Sequence, residues 1–223
     1  MGAAIVIGAG PGIGLSVARR IAREALPIGL IARTAATVAS SVAALSGHEV
    51  HGVAADATDE AALPRALDEL AHRLGPPELL VYNAALIRAD AFGELTAAQH
   101  LDAWAVNVVG AITAAAHLAP GMAERGRGTI VITGGMPQPL AAYTSLSLGK
   151  AGVRTLVMLL HGSYGTAGVH AASVTVMGEV APGTAFDPDD IAEHYWRLHT
   201  QPPDAWEHEV VHGPVPTHRQ WSP

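Results

Sequence analysis

The glycine run near the N-terminus, Gly8-Ala9-Gly10-Pro11-Gly12-Ile13-Gly14, has residue types and spacing suited to holding phosphate groups. Glycines at these positions allow a tight turn and a close approach of backbone to a pyrophosphate. A helix that opens directly after the turn adds free N–H groups and a partial positive charge. Pro11 has no N–H to lose, and its fixed φ suits the start of a helix. Gly8, Gly10, Gly12, Ile13 and Gly14 are therefore candidates for holding a dinucleotide, provided that a strand precedes the turn and a helix follows it. Twelve histidines form the second group with ligating chemistry. His48 and His51 lie three apart on an expected strand and so face opposite sides. His208 and His212 have no third ligand, and no metal site is expected. The absence of cysteine excludes disulfides, zinc–thiolate sites, iron–sulfur clusters and thiol nucleophiles.

The elements around the glycine run meet its condition. Residues 3–8 form a short apolar strand, and 15–26 carry helical spacing. Further strands are expected at 28–32, 49–54, 78–82, 129–133, 170–176 and 209–211. Helices are expected to about residue 45, from an N-cap at Asp59 to about 74, over 97–122 with a soft break at Pro120, over 140–161, and from Asp187 to about 199. Strand and helix alternate, and the strands are apolar on both faces. This predicts one doubly wound, Rossmann-type α/β domain over residues 1–223, its parallel sheet covered by helices on both sides. Apolar residues make up 49% of the 223 and charged residues 15%, a globular composition. A net charge of −7 gives no electrostatic footprint for nucleic acid and a poor one for anionic membranes. No run of 18 apolar residues suggests a transmembrane helix. The N-terminus has no basic region ahead of its apolar stretch, so a cytoplasmic location is expected.

The spacing of Gly8, Gly12 and Gly14 resembles that of the short-chain dehydrogenase/reductase family. Further matches follow in order along the chain: Asp56 with Ala57 after the third strand, Asn83-Ala84-Ala85 after the fourth, Asn107 within Val106–Gly110, and Lys150 within Gly149–Gly152. The resemblance extends to about residue 176. It implies a cofactor-binding half over about 1–85 and an active-site and oligomerisation half over about 86–223. It also implies a nicotinamide cofactor held by Gly8, Gly10, Gly12, Ile13, Gly14, Asp56, Ala57, Asn83, Ala84 and Lys150. At the end of the second strand, an acid would accept hydrogen bonds from the ribose of NAD. Arg33 and Thr34 stand there instead, which suits a 2′-phosphate and favours NADP(H) over NAD(H). The bland alternative for Arg33 is a solvated loop charge, which its position at the end of the second strand disfavours.

In the family a tyrosine four residues before the lysine exchanges the carbonyl proton, and a serine after the fifth strand polarises the same oxygen. The lysine holds the nicotinamide ribose, and the asparagine holds a water. Asn107 and Lys150 match. Leu146 stands at the tyrosine position and Gly134-Gly135 where the serine is expected. Helical spacing offers Tyr143, seven residues before Lys150, and Ser147, three before it, as substitutes. Thr133 or Thr144 offers a hydroxyl in place of the serine. Each also has a bland role, in local hydrogen bonds or helix-backbone contacts. The loop before Asp187 is too short to form the usual lid over the substrate. Trp196, Trp206 and Trp221 could fill that gap, anchor a partner or simply pack.

A small-molecule carbonyl or alcohol substrate is expected, with a homodimer or homotetramer formed through 97–122 and 140–161. Two other functions fit the same residues. One is a non-redox isomerase or cyclase that keeps the cofactor pocket, and the other is a non-catalytic NADP(H)-binding or scaffold protein.

Overall fold

A computed structural model describes residues 2–213. Seven parallel strands form one sheet in the order β3-β2-β1-β4-β5-β6-β7. They are β1 (Ala3–Ile7), β2 (Ile28–Ala32), β3 (Val50–Ala54), β4 (Pro77–Tyr82), β5 (Gly128–Thr133), β6 (Val169–Val176) and β7 (Glu209–His212). Between them run α1 (Ile13–Ala22), α2 (Ala35–Ala43), α3 (Ala62–Leu74), α4 (Ala97–Trp104), α5 (Gly110–Glu124), α6 (Thr144–Tyr164) and α7 (Pro188–His199). Every residue of β1, β2 and β6 is buried. Helices close both faces of the sheet, which explains why these strands are continuously apolar instead of alternating. One core layer packs Leu63, Leu67, Met122 and Val153 against the sheet, and the other packs Val17, Ile21, Ile191 and Leu198. The strand order reverses between β1 and β4. In open α/β sheets, ligands bind at the carboxyl ends of the strands beside such a switch point.

Several element boundaries differ from the sequence expectation. α1 ends at Ala22, not at 26, because the chain must leave the helix ahead of Pro27 and does so through Ala25 at φ +55°. α3 starts at Ala62, yet Asp59 still caps it: its Oδ1 accepts from the backbone N–H of Ala61 and Ala62 at 2.9 and 2.8 Å. Those two bonds hold the Asp59 carboxyl below its ordinary value.

The expected helix over 97–122 is interrupted at Ala105–Val109 by a π turn, while Pro120 lies inside α5. A π turn leaves a carbonyl without its helical donor. Here the buried Tyr82 hydroxyl donates to Val106 O at 2.6 Å. α4 carries a capping box, with Thr96 Oγ accepting from Gln99 N and Gln99 Oε1 accepting from Thr96 N. The continuous helical run 97–124 is long and apolar enough to cross a bilayer by length and composition, contrary to the sequence expectation, but half of its most apolar stretch is buried inside the protein.

α6 begins at Thr144, not at 140. The buried Asp90 carboxylate sets this start, accepting from Ser145 N at 2.9 Å and Ser145 Oγ at 2.8 Å. A short parallel bridge between Asp90 and Tyr143 ties the same two segments together.

Candidate active site

The glycine turn leaves β1 and enters α1 at the switch point. Gly8 has φ +83°, and a Cβ there would fall 2.4 Å from Ala84 N. A Cβ at Gly14 would fall 2.2 Å from Gly8 O. These two positions therefore exclude any larger residue. At Gly12, also at positive φ, a Cβ would meet nothing within 4 Å, and at Gly10 only Thr37 Cγ2 at 3.8 Å. The turn thus packs on its inner side and opens on its outer side. No side chain caps α1, which begins at the half-buried Ile13. A phosphate-bearing group fits this open cradle beside an uncapped helix start.

Asn83 braces the turn from β4. Its Nδ2 donates to Gly8 O at 3.0 Å, and its Oδ1 accepts from Thr133 Oγ at 2.8 Å. Ala84 lies against Gly8. The Asn83-Ala84 pair, expected to touch cofactor, thus also shapes the loop.

Arg33 follows β2, is exposed, and forms no ion pair among the described residues. Thr34 is the N-cap of α2, its Oγ accepting from Thr37 N at 3.2 Å and lying 2.9 Å from Thr37 Oγ. Asp56 follows β3 and spends Oδ1 on Thr58 N at 2.9 Å and Thr58 Oγ at 2.8 Å. Ala57 O lies 2.6 Å from where a Cβ on Gly110 would be, pressing this turn onto the start of α5.

Across the switch point, α6 and the π turn meet at Gly149, where a Cβ would fall 2.9 Å from Asn107 Cβ. That close approach sets Lys150 beside the Asn107 turn. Asn107 is buried, donates from Nδ2 to Leu86 O at 3.1 Å, and accepts from Leu86 N at 3.1 Å. Lys150 is 6% exposed, and its Nζ donates to Thr133 O at 2.7 Å. Burial alone lowers its pKa to about 8.

Leu146 is buried one turn before Lys150. A Cβ at Gly135 would lie 3.8 Å from Lys150 Cε, so the flank of the lysine carries no side chain there. Arg154, one turn further along α6, holds this segment by donating to Gly135 O at 3.1 Å and Met136 O at 3.2 Å.

The substitute hydroxyls fare differently. Tyr143 is the N-cap of α6 at φ −141°, outside the helix whose register would relate it to Lys150. Ser147 turns to the preceding loop instead of its own helix: Oγ accepts from Leu140 N at 3.1 Å and approaches Leu140 O at 3.4 Å. Thr144 Oγ donates to Ala141 O at 3.1 Å. Thr133 Oγ is enclosed by Asn83 Oδ1 and the Tyr195 hydroxyl, the latter at 2.6 Å. Burial pushes the Tyr195 phenol well up, so it remains protonated.

Several of the described histidines are tied into the fold. Both His170 ring nitrogens face carbonyl oxygens, Leu198 O at 3.0 Å and Glu207 O at 2.8 Å, and its ring stacks on Trp206 at 4.8 Å. His212 pairs with His194 at 2.9 Å. No group of three or more possible metal ligands occurs among the described residues. Trp196 packs under the Arg20 guanidinium at 5.2 Å, and Trp221 lies outside the described residues. The loop between β6 and α7 closes tightly, with Gly183 N donating to the Asp187 carboxylate at 2.6 Å.

Asp90, Tyr82 and Tyr195 carry site geometry that sequence reasoning missed. Each acts through contacts distant in sequence, and no local spacing marks them.

The chain belongs to the short-chain dehydrogenase family, whose model matches residues 2–185. It is 32% identical over 192 residues to a cis-4-hydroxycyclohexanecarboxylate dehydrogenase of Sinomonas cyclohexanicum, covering 83% of this chain and 74% of that one. It is 33% identical over 183 residues to the inactive 2-(S)-hydroxypropyl-CoM dehydrogenase 2 of Xanthobacter autotrophicus, covering 78% and 73%. A metagenomic short-chain oxidoreductase solved with NADP superposes with a TM-score of 0.86 at 23% identity, covering 94% of this chain and 96% of that chain. The seven-stranded parallel sheet is the Rossmann-type fold of that neighbour.

Proposed function

We propose that the chain is an NADP(H)-dependent oxidoreductase that interconverts a carbonyl and an alcohol in a small molecule. The observation that carries this reading is the meeting, at the carboxyl ends of the strands, of an open glycine cradle, an arginine after β2 with no ion pair among the described residues, and a buried lysine beside Asn107. The NADP held by the structural neighbour supports the phosphorylated cofactor. Gly10, Gly12 and Ile13 would face the pyrophosphate. Arg33 would pair with the 2′-phosphate, Asp56 would meet the adenine end, and Lys150 the nicotinamide ribose. The dinucleotide supplies hydride when bound. Asn107 would keep Leu86 and the β4 loop in place beside the reacting carbon, and a water near it would relay protons.

A β6–α7 loop too short for a lid would leave the substrate face open. Leu101, Trp104 and Ile112 on the α4–α5 run and Leu148, Met158 and Leu159 on α6 are exposed apolar side chains. They suit burial against a second copy, as a homodimer or homotetramer.

A second reading, a nucleotide-binding protein without turnover, is favoured by Leu146 and Gly135 at the two positions where the family carries its hydroxyls, and one relative is named as inactive. Titration of the protein with NADPH and NADH, followed by fluorescence, tests the cofactor site. NADPH is expected to bind at least about tenfold tighter, a gap of about 1.4 kcal/mol. Arg33→Ala is expected to weaken NADPH about 10- to 100-fold and leave NADH little changed, as loss of a charge-assisted contact would. Equal affinity for both nucleotides would remove the 2′-phosphate assignment. No binding of either would remove both readings.

A further inference from the structure

Lys150 is the only lysine in the chain, against twelve arginines. It is also a buried ammonium with no carboxylate partner among its contacts. One of its three N–H groups goes to Thr133 O. The other two have no acceptor among the described residues, so one is left for the nicotinamide ribose proposed above and one for a substrate oxygen. Its flank at Gly135 is bare backbone, and the helix position one turn before it is a leucine.

The hydroxyls around it are already engaged. Thr133 serves Asn83 and Tyr195, Thr144 serves Ala141, Ser145 serves Asp90, and Ser147 serves Leu140. The Asn107 amide is held at both ends by Leu86. Tyr143 lies outside the helix.

We infer that Lys150 itself gives the substrate oxygen its proton in reduction and takes it back in oxidation; this rests on the oxidoreductase reading above. The carbonyl carbon accepts hydride from a dihydronicotinamide, and the C=O π pair moves onto oxygen. That oxygen takes a proton from Nζ, leaving an alcohol, an oxidised nicotinamide and a neutral amine, which regains its proton from water. A lysine whose pKa burial has brought to about 8 is charged at neutral pH yet close enough to the working range to release its proton. An arginine keeps the charge but cannot give up the proton.

A single lysine makes the test direct. Protein labelled with [15N]lysine shows one side-chain resonance. Its titration is expected to centre near pH 8 and to shift on adding NADPH. In parallel, NADPH oxidation is followed with 4-oxocyclohexanecarboxylate, cyclohexanone and a set of aliphatic and aromatic ketones. Reduction is expected to fall off above the same midpoint. Lys150→Arg is expected to bind NADPH within tenfold of wild type and to reduce ketone at least about 100-fold more slowly, the usual size of a lost general acid.

A lysine midpoint above pH 10 overturns the inference. So does a Lys150→Arg protein with undiminished turnover, or a Tyr143→Phe protein that loses as much as Lys150→Arg. A wild type that binds NADPH yet reduces none of the ketones sinks the reductase reading and this inference with it. Active wild type with active Lys150→Arg sinks the inference alone.

Discussion

The turn between β1 and α1 and the segment between β5 and α6 leave the same edge of one sheet, yet they are constrained at different levels. In the first, backbone atoms of Gly8, Ala84 and Asn83 crowd one another so closely that side chains are excluded at two positions. In the second, Gly135 and Leu146 stand where the family resemblance leads one to expect reacting hydroxyls, while a buried carboxylate starts the helix and Lys150 is tied to Thr133 O. Holding a dinucleotide depends on backbone shape, whereas exchanging a proton depends on one or two side-chain tips. The tips can change without disturbing the shape.

The largest expected effect tests the crowded side of the comparison. Gly14→Ala would force Gly8 O to move, and is expected to cost about 3 kcal/mol or more in denaturant unfolding and to abolish NADPH binding. A mild effect would mean the turn is looser than its contacts imply.

Next comes Asp90→Ala on the other side. It would orphan the buried Ser145 N–H and hydroxyl, with an expected loss of about 2–3 kcal/mol. NADPH affinity is expected to hold within a few-fold, since the glycine turn is untouched. Equal loss of both properties would merge the two regions into one unit.

The third effect is a pH dependence. The folded pKa of Lys150 is about 8 and its ordinary value 10.5. Between those limits the unfolded chain binds more protons than the folded one, so stability rises as pH increases through that window. A rise of about 2 kcal/mol is expected in urea unfolding between pH 8 and 10.5. It should be absent in Lys150→Met, which is expected to be the more stable protein at pH 7. A wild-type curve flat across this window would mean that Lys150 is solvated.

The smallest effect concerns the strut that joins β5 to α7. Tyr195→Phe removes one of the two partners of Thr133 Oγ and is expected to cost about 1 kcal/mol in thermal unfolding, with NADPH affinity unchanged.

Much of the fold was readable because its signals are local. Five- to eight-residue apolar runs, an uninterrupted alternation of strand and helix, and glycines after the first strand all act within a few residues of where they stand. Boundaries were less readable wherever a distant residue moved them. Asp90, more than fifty residues away, starts α6 at Thr144 and so leaves Tyr143 outside. Tyr82 and Leu86 likewise put the irregularity of the long helix at Asn107 and not at Pro120.

By itself, then, the sequence determined the α/β class, the parallel sheet and the place of the glycine turn, because each follows from composition or local spacing, and the family pattern nominated Arg33, Asn107 and Lys150 as site candidates. Only the tertiary structure decided which hydroxyls are already engaged, which amine keeps unshared donors, and where each helix begins. Those properties arise from hydrogen bonds between residues far apart in the chain, and burial sets their strength.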